Sequence, residues 1–144
     1  IIVGSIESKR LFKELNHFIR QNNLESRVIF EGPQSDVKKY YKNSNIFVLP
    51  SLYEGMSNAL LEAMSYSSAC ITTNYDGSSD VIENQKDGII VPLNNVNDLA
   101  SSMLDIYNNE NRRHSFGVEA KKKINTKFSN SVVIQKWVSS IKDS

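Results

Sequence analysis

The chain has 144 residues, 40% of them hydrophobic and 23% charged, enough for one domain with a core of its own. Lys+Arg 17 against Asp+Glu 16 leaves a formal net charge of +1, which supplies no field for nucleic acid or an anionic membrane. No apolar run approaches the ~18 residues of a membrane span, and the first residues carry no targeting pattern.

Taken in order, "IIVGS" at Ile1 opens in mid-strand, with nothing before it to start a domain, so a fragment is expected. Leu11, Leu15, Phe18 and Ile19 then recur at helical spacing. "RVIFEG" at Arg27 predicts a second strand, and Val37, Tyr40 and Tyr41 a short helix. Further strands are expected at "NIFVLP" from Asn45, "ACITT" from Ala69 and "GIIVP" from Gly88, with a helix through Leu60, Leu61 and Met64. Their continuous apolar character reads as burial on both faces. Cys70, the one cysteine, excludes an internal disulfide framework and fits a reducing, cytoplasmic setting with a buried, inert thiol. The last third carries three helical stripes: Leu99, Met103 and Tyr107; Phe116, Ala120 and Ile124; Ile134, Trp137, Val138 and Ile141. "YNNENRR" from Tyr107 reads as a loop between helices, and Trp137 and Phe128 as anchors onto the core.

Strands alternating with helices predict an α/β fold, a Rossmann-like parallel sheet covered by helices with a helical C-terminal third. Ligands of such sheets bind beyond the carboxyl ends of the strands, so the loops starting at Gly4, Gly32, Pro50, Asn74 and Pro92 are the places to search.

The third of these reads "PSLYEGMSNALLEAM". Pro50 ends sheet pairing, Gly55 permits a tight or positive-φ turn, and Ser57 or Asn58 can cap the helix that follows. Its N-terminus would present free N–H groups to a phosphate without needing a lysine. Glu54 lies before the helix and Glu62 about one turn into it. Carboxylates beside a diphosphate would be repelled, so both suit neutral diols, for which two acceptor oxygens are well matched. A nucleotide sugar has that order of parts: ribose diol, diphosphate, hexose. The same residues also suit an ordinary Glu–Gly turn and a solvated helix position.

"VLPSLYEGMSNALLEAM" resembles the E-x7-E region of retaining glycosyltransferases of the GT-B fold, glycosyltransferase family 4. The likeness runs from "IIVGS" through "VIFEGPQSDVKKYYKNSNIFVLPS" and "TTNYDGSSDVIENQKDGIIVP" to "FSNSVVIQKW". It implies a C-terminal nucleotide-sugar-binding domain over residues 1–144, lacking an N-terminal acceptor domain and its own first strand and helix. By that resemblance Glu62 binds ribose hydroxyls, and Glu54, the candidate catalytic-site residue, positions the donor sugar and is no nucleophile. Gly55, Met56 and Ser57 match the turn at the transferred sugar, and Asn58, Ala59 and Leu60 the amides facing the diphosphate. Gln34 and Asp36 fall where relatives contact the base, or else simply start a helix capped by Ser35 or Asp36. Gly77 and Ser78 lie near the diphosphate or sugar, or else Ser78 or Ser79 caps a short helix whose first turn Asp80 favours.

The chain departs from the pattern in several places. Ser67 and Ala69 stand where relatives have glycine and proline, so a helix end in the left-handed region is strained. The arginine and lysine that relatives set against the diphosphate have no counterpart here, since Lys9 and Arg10 fit a solvated helix face. His17 and His114 also read as surface residues.

The implied activity is hexosyl transfer from a UDP-, GDP- or ADP-sugar to an acceptor hydroxyl with retention, in polysaccharide biosynthesis. No metal or other cofactor is expected, and the leaving phosphate helps to deprotonate the acceptor. The implied partners are the nucleotide sugar and a saccharide or lipid-linked acceptor held by the missing domain, with peripheral membrane association of the intact enzyme and no nucleic acid. The isolated chain is expected to transfer little or nothing. Alternatives are a noncatalytic nucleotide-responsive interaction module and a GT-B-fold nucleotide-sugar epimerase. A dinucleotide oxidoreductase is disfavoured because no G-x-G-x-x-G follows a strand.

Overall fold

The computed structural model describes residues 1–142. They divide into two compact units, Ile1–Lys39 and a second that starts at Tyr40.

The first unit holds strand β1 (Ile2–Val3), helix α1 (Lys9–Gln21) and strand β2 (Phe30–Gly32), with helix α2 (Lys38–Asn43) starting at its end. β1 and β2 pair in parallel. Ser8 caps α1 by accepting from the Leu11 N–H at 3.2 Å. Only Ile19 of α1 is buried, and Phe12 meets Phe30 edge to face at 5.1 Å. Leu11, Leu15 and Phe18 stay exposed. The stripe predicted a helix correctly, but periodicity alone does not say what covers its face.

In the second unit β3 (Ile46–Leu49), α3 (Asn58–Ser65), β4 (Ala69–Thr73), α4 (Ser78–Val81) and β5 (Ile89–Val91) precede α5 (Val96–Asn108) and α6 (Glu110–Lys123). A π-helical turn over Ile124–Phe128 leads into α7 (Asn130–Lys142). The sheet order is β3-β4-β5, all parallel, with Val48 opposite Ile71 and Ile71 opposite Ile89. The strands are thus parallel as expected but form two sheets. β1 has only two residues, both exposed, so burial on both faces does not extend to it.

β4 is buried at every residue. On one side Ala69 and Ile71 join Ile89, Val91, Ile106 and Phe116 in the core. Leu60, Ala63 and Met64 of α3 are fully buried as well. Cys70 is buried, and that burial raises its thiol pKa well above the ordinary range, as an inert thiol requires. Asp87 and Lys123 form a buried ion pair. The Asp87 carboxylate also accepts from the Glu83 N–H at 2.8 Å, and the Lys123 ammonium donates to the Val81 carbonyl at 3.1 Å.

α3 ends with Ser67 at φ +64°, where the Ser67 N–H donates to Met64 and the Ser68 N–H to Ala63. This is the left-handed end without glycine that the sequence implied. Gly117 of α6 lies directly over it; a β-carbon there would stand 2.1 Å from the Ser67 carbonyl oxygen.

Two expectations fail. The break inside "YNNENRR" is one residue long, because Asn109 ends α5 and caps α6, accepting from the Arg112 N–H at 3.0 Å. Trp137 is 72% exposed and does not anchor α7 to the core, whereas Phe128 is half-buried. Among the described residues no helix is long and apolar enough to cross a membrane.

Candidate functional site

The carboxyl edge of β3 and β4 is tied by hydroxyl groups. Thr72 donates to the Leu49 carbonyl at 3.0 Å, and Thr73 donates to the Ser51 carbonyl. The Ser51 hydroxyl in turn donates to Glu54 Oε1 at 2.9 Å. β4, the most buried strand, therefore holds the loop after β3 and, through Ser51, orients the half-buried Glu54. Leu52, Tyr53 and Met56 around it are exposed, an apolar rim beside the acid.

The chain then enters α3. Ser57 occupies the N-cap position and is buried, but its side chain makes no capping hydrogen bond. Asn58 is the first helical residue, so neither proposed cap works as one. The amides of Asn58, Ala59 and Leu60 begin a helix, where N–H groups have no acceptor within the helix. Of the two turns that Gly55 permits, tight or positive-φ, it does not take the positive φ; nothing lies within 4 Å of where its β-carbon would be. What glycine leaves there is open space.

Glu62 is exposed on α3, near enough to the Tyr41 phenol for its charge to act on it. Burial, and next the Glu62 charge, push the Tyr41 pKa up to about 12, so the phenol stays protonated. The ring stacks on Tyr66 at 5.9 Å and meets Phe47 edge-on at 5.8 Å. Sequence reasoning placed Tyr41 only in an apolar stripe. Nothing in its spacing showed that its ring would come near an acid twenty-one residues on.

The loop after β4 lies beside this one. Gly77 is left-handed at φ +89°, and a β-carbon on it would lie 3.6 Å from the Gly55 carbonyl oxygen. Gly77 itself occupies the cap position of α4, with Ser78 as the first helical residue and Asp80 in the first turn. Ser78 is fully buried, its hydroxyl 3.5 Å from Asn74 Oδ1. The structure therefore brings Glu54, Gly55, Ser57 and Gly77 to one end of the second unit.

Gln34 and Asp36 belong to the first unit. Gln34 donates to the Glu31 carbonyl at 2.8 Å, and Asp36 accepts from the Lys38 N–H at 3.1 Å, starting α2. That is the helix-start role for Asp36. His17, His114, Lys9 and Arg10 are exposed, and Arg10 pairs with Glu14. Among the described residues no group of three or more His, Cys, Asp or Glu could hold a metal ion.

The family model for glycosyl transferases group 1 matches residues 1–123. The chain belongs to that family. It is 30% identical over 134 residues to the capsular polysaccharide biosynthesis glycosyltransferase CapM of Staphylococcus aureus, covering 92% of this chain and 34% of the relative. It is 34% identical over 107 residues to the UDP-Gal:alpha-D-GlcNAc-diphosphoundecaprenol alpha-1,3-galactosyltransferase of Escherichia coli, covering 74% and 27%. The crystal structure of Anabaena HepE in complex with UDP shares the fold at TM-score 0.89 and 18% identity, covering 99% of this chain and 40% of that one. The chain thus spans about a third of the length of these group 1 relatives, and the family 4, GT-B resemblance and the α/β fold stand.

Proposed function

We propose that this chain is the donor-binding domain of a retaining glycosyltransferase, which takes a hexosyl group from a UDP-sugar and passes it to an acceptor hydroxyl held by another domain. One observation carries the reading: the helix that begins at the sheet edge has no side-chain cap, with one acid before it and another a turn inside.

Each part of the site has a task matched to its chemistry. The N–H groups of Asn58, Ala59 and Leu60 face the diphosphate, where the helix dipole favours negative charge. Glu62, beside Tyr41, accepts from the ribose diol. Glu54, held by Ser51, accepts from hexose hydroxyls and so positions the anomeric carbon. Gly55, Met56 and Ser57 line the sugar turn, and Gly77 and Ser78 close it from the neighbouring loop. Charge developing on the leaving diphosphate meets amides that are already oriented, and such preorganisation lowers the barrier without reorganisation at the moment of reaction. Similarity to the Escherichia coli galactosyltransferase supports UDP over GDP or ADP and an acceptor saccharide carried on a lipid diphosphate, similarity to CapM supports polysaccharide assembly, and peripheral membrane attachment of the whole enzyme belongs to the same proposal.

Calorimetric titration with UDP-, GDP- and ADP-sugars tests the reading. UDP and its sugars are expected to bind weakly. Glu62→Ala should weaken UDP and UDP-sugars alike by about tenfold or more, the loss of charge-assisted hydrogen bonds. Glu54→Ala should weaken UDP-sugars and spare UDP. Binding that neither substitution alters would favour a noncatalytic interaction module, and epimerised sugar in the product would favour an epimerase. Little or no transfer is expected from these 144 residues alone.

A further inference from the structure

Helix α7 (Asn130–Lys142) turns its apolar side to solvent. Successive helical residues rotate by about 100°, so Val133, Ile134, Trp137, Val138 and Ile141 share one face, with Gln135, Lys136 and Ser139 on the other. All five apolar side chains are exposed, and between residues 130 and 141 only Val132, on the polar side, is half-buried. Trp137 therefore stands in the middle of a bare apolar face, and exposed faces of this kind mark contact surfaces.

Charge decides what fits there. From Ala120 to Ile141 the chain carries Lys121, Lys122, Lys123, Lys127 and Lys136 and no Asp or Glu, while the rest of the chain holds more acid than base. Lys123 is committed to Asp87 and Lys122 to Glu119. Lys121 at the end of α6, Lys127 in the turn leading into α7 and Lys136 on α7 itself are exposed. A near-neutral chain thus conceals a basic segment beside an apolar face. A second copy would set the same lysines against each other across a symmetric contact, and α7 is too short to span a bilayer, which takes about 20 residues. A helix with lysine on its polar side and a tryptophan among aliphatic residues on the other suits the plane of an anionic bilayer surface. There the aliphatic groups enter the acyl boundary, the indole sits at headgroup depth, and lysine stems reach the lipid phosphates.

We infer that α7 is a membrane-docking helix, seating its Trp137 face in an anionic lipid surface. The inference rests on the proposed function only for its purpose, which is to keep the donor site beside an acceptor carried on a lipid diphosphate.

Trp137 is the one tryptophan of the chain, so its own fluorescence reports the event. The test adds the full chain to vesicles of mixed phosphatidylcholine and phosphatidylglycerol, and to vesicles of phosphatidylcholine alone. A blue shift and quenching by brominated acyl chains are expected with the anionic vesicles, and at least tenfold weaker association with the neutral ones. Lys127→Gln with Lys136→Gln should weaken anionic-vesicle binding about tenfold, and Ile134→Ala with Ile141→Ala about as much, each leaving the melting temperature unchanged. No blue shift, equal binding to both vesicles, or a blue shift that grows with protein concentration in the absence of lipid, which gives the face to a second copy, would overturn the inference. So would a whole enzyme that fails to bind vesicles while the isolated chain binds them, since another domain then covers the face. UDP titration reads the donor site separately: those outcomes leave the donor-binding reading standing, and a chain that binds vesicles but no UDP overturns that reading alone.

Discussion

The starts of α5 and α6 differ from the start of α3. Asn95 accepts from the Asp98 N–H and Asn109 from the Arg112 N–H, both at 3.0 Å, so each helix satisfies one of its first amides with its own side chain. α3 has a serine at the same position and does not use it. The capped helices follow β5 and pack on the sheet, whereas the uncapped one opens beside Glu54 at the strand ends. The first amides of a helix start without a side-chain cap are left to water or to an external acceptor. The comparison separates asparagines that cap the helices they start from a serine that caps nothing.

The sharpest way to break that separation is on the scaffold side. Lys123→Met leaves Asp87 buried without its partner and should cost about 3–5 kcal/mol in urea unfolding; UDP affinity of the folded fraction should not change. Gly117→Ala drives a β-carbon into the Ser67 carbonyl and should cost about 1–3 kcal/mol, because backbone must move to make room. Asn109→Ala removes a working cap, for a loss near 1 kcal/mol. Ser57→Ala removes a serine that caps nothing, and its stability should stay within about 0.5 kcal/mol of wild type. If Ser57→Ala and Asn109→Ala cost the same in thermal unfolding, the contrast between the two kinds of helix start is wrong.

Much of the fold was legible. β-branched runs marked all five strands, because a strand buried on one or both faces needs apolar residues wherever it is read. "ACITT" is the clearest instance, apolar in sequence and buried throughout. The acids of the loop were legible too, since Pro50 and Gly55 framed Glu54 and helical periodicity placed Glu62. The cap assignments went astray because Ser57 has the right chemistry at the right position and points elsewhere. Trp137 was misjudged because an apolar stripe records only that something covers a face, not which element does.

By itself the sequence determined the alternation of strands and helices, the family, and the two acids eight residues apart, all of which depend on neighbours along the chain. Tertiary structure alone decided that Tyr41 lies within reach of the Glu62 charge, that Gly117 must lack a side chain over Ser67, and that Tyr75 is buried with its hydroxyl unanswered. Those facts join residues far apart in the chain, and contact between them exists only once the sheet has brought their loops and helices together.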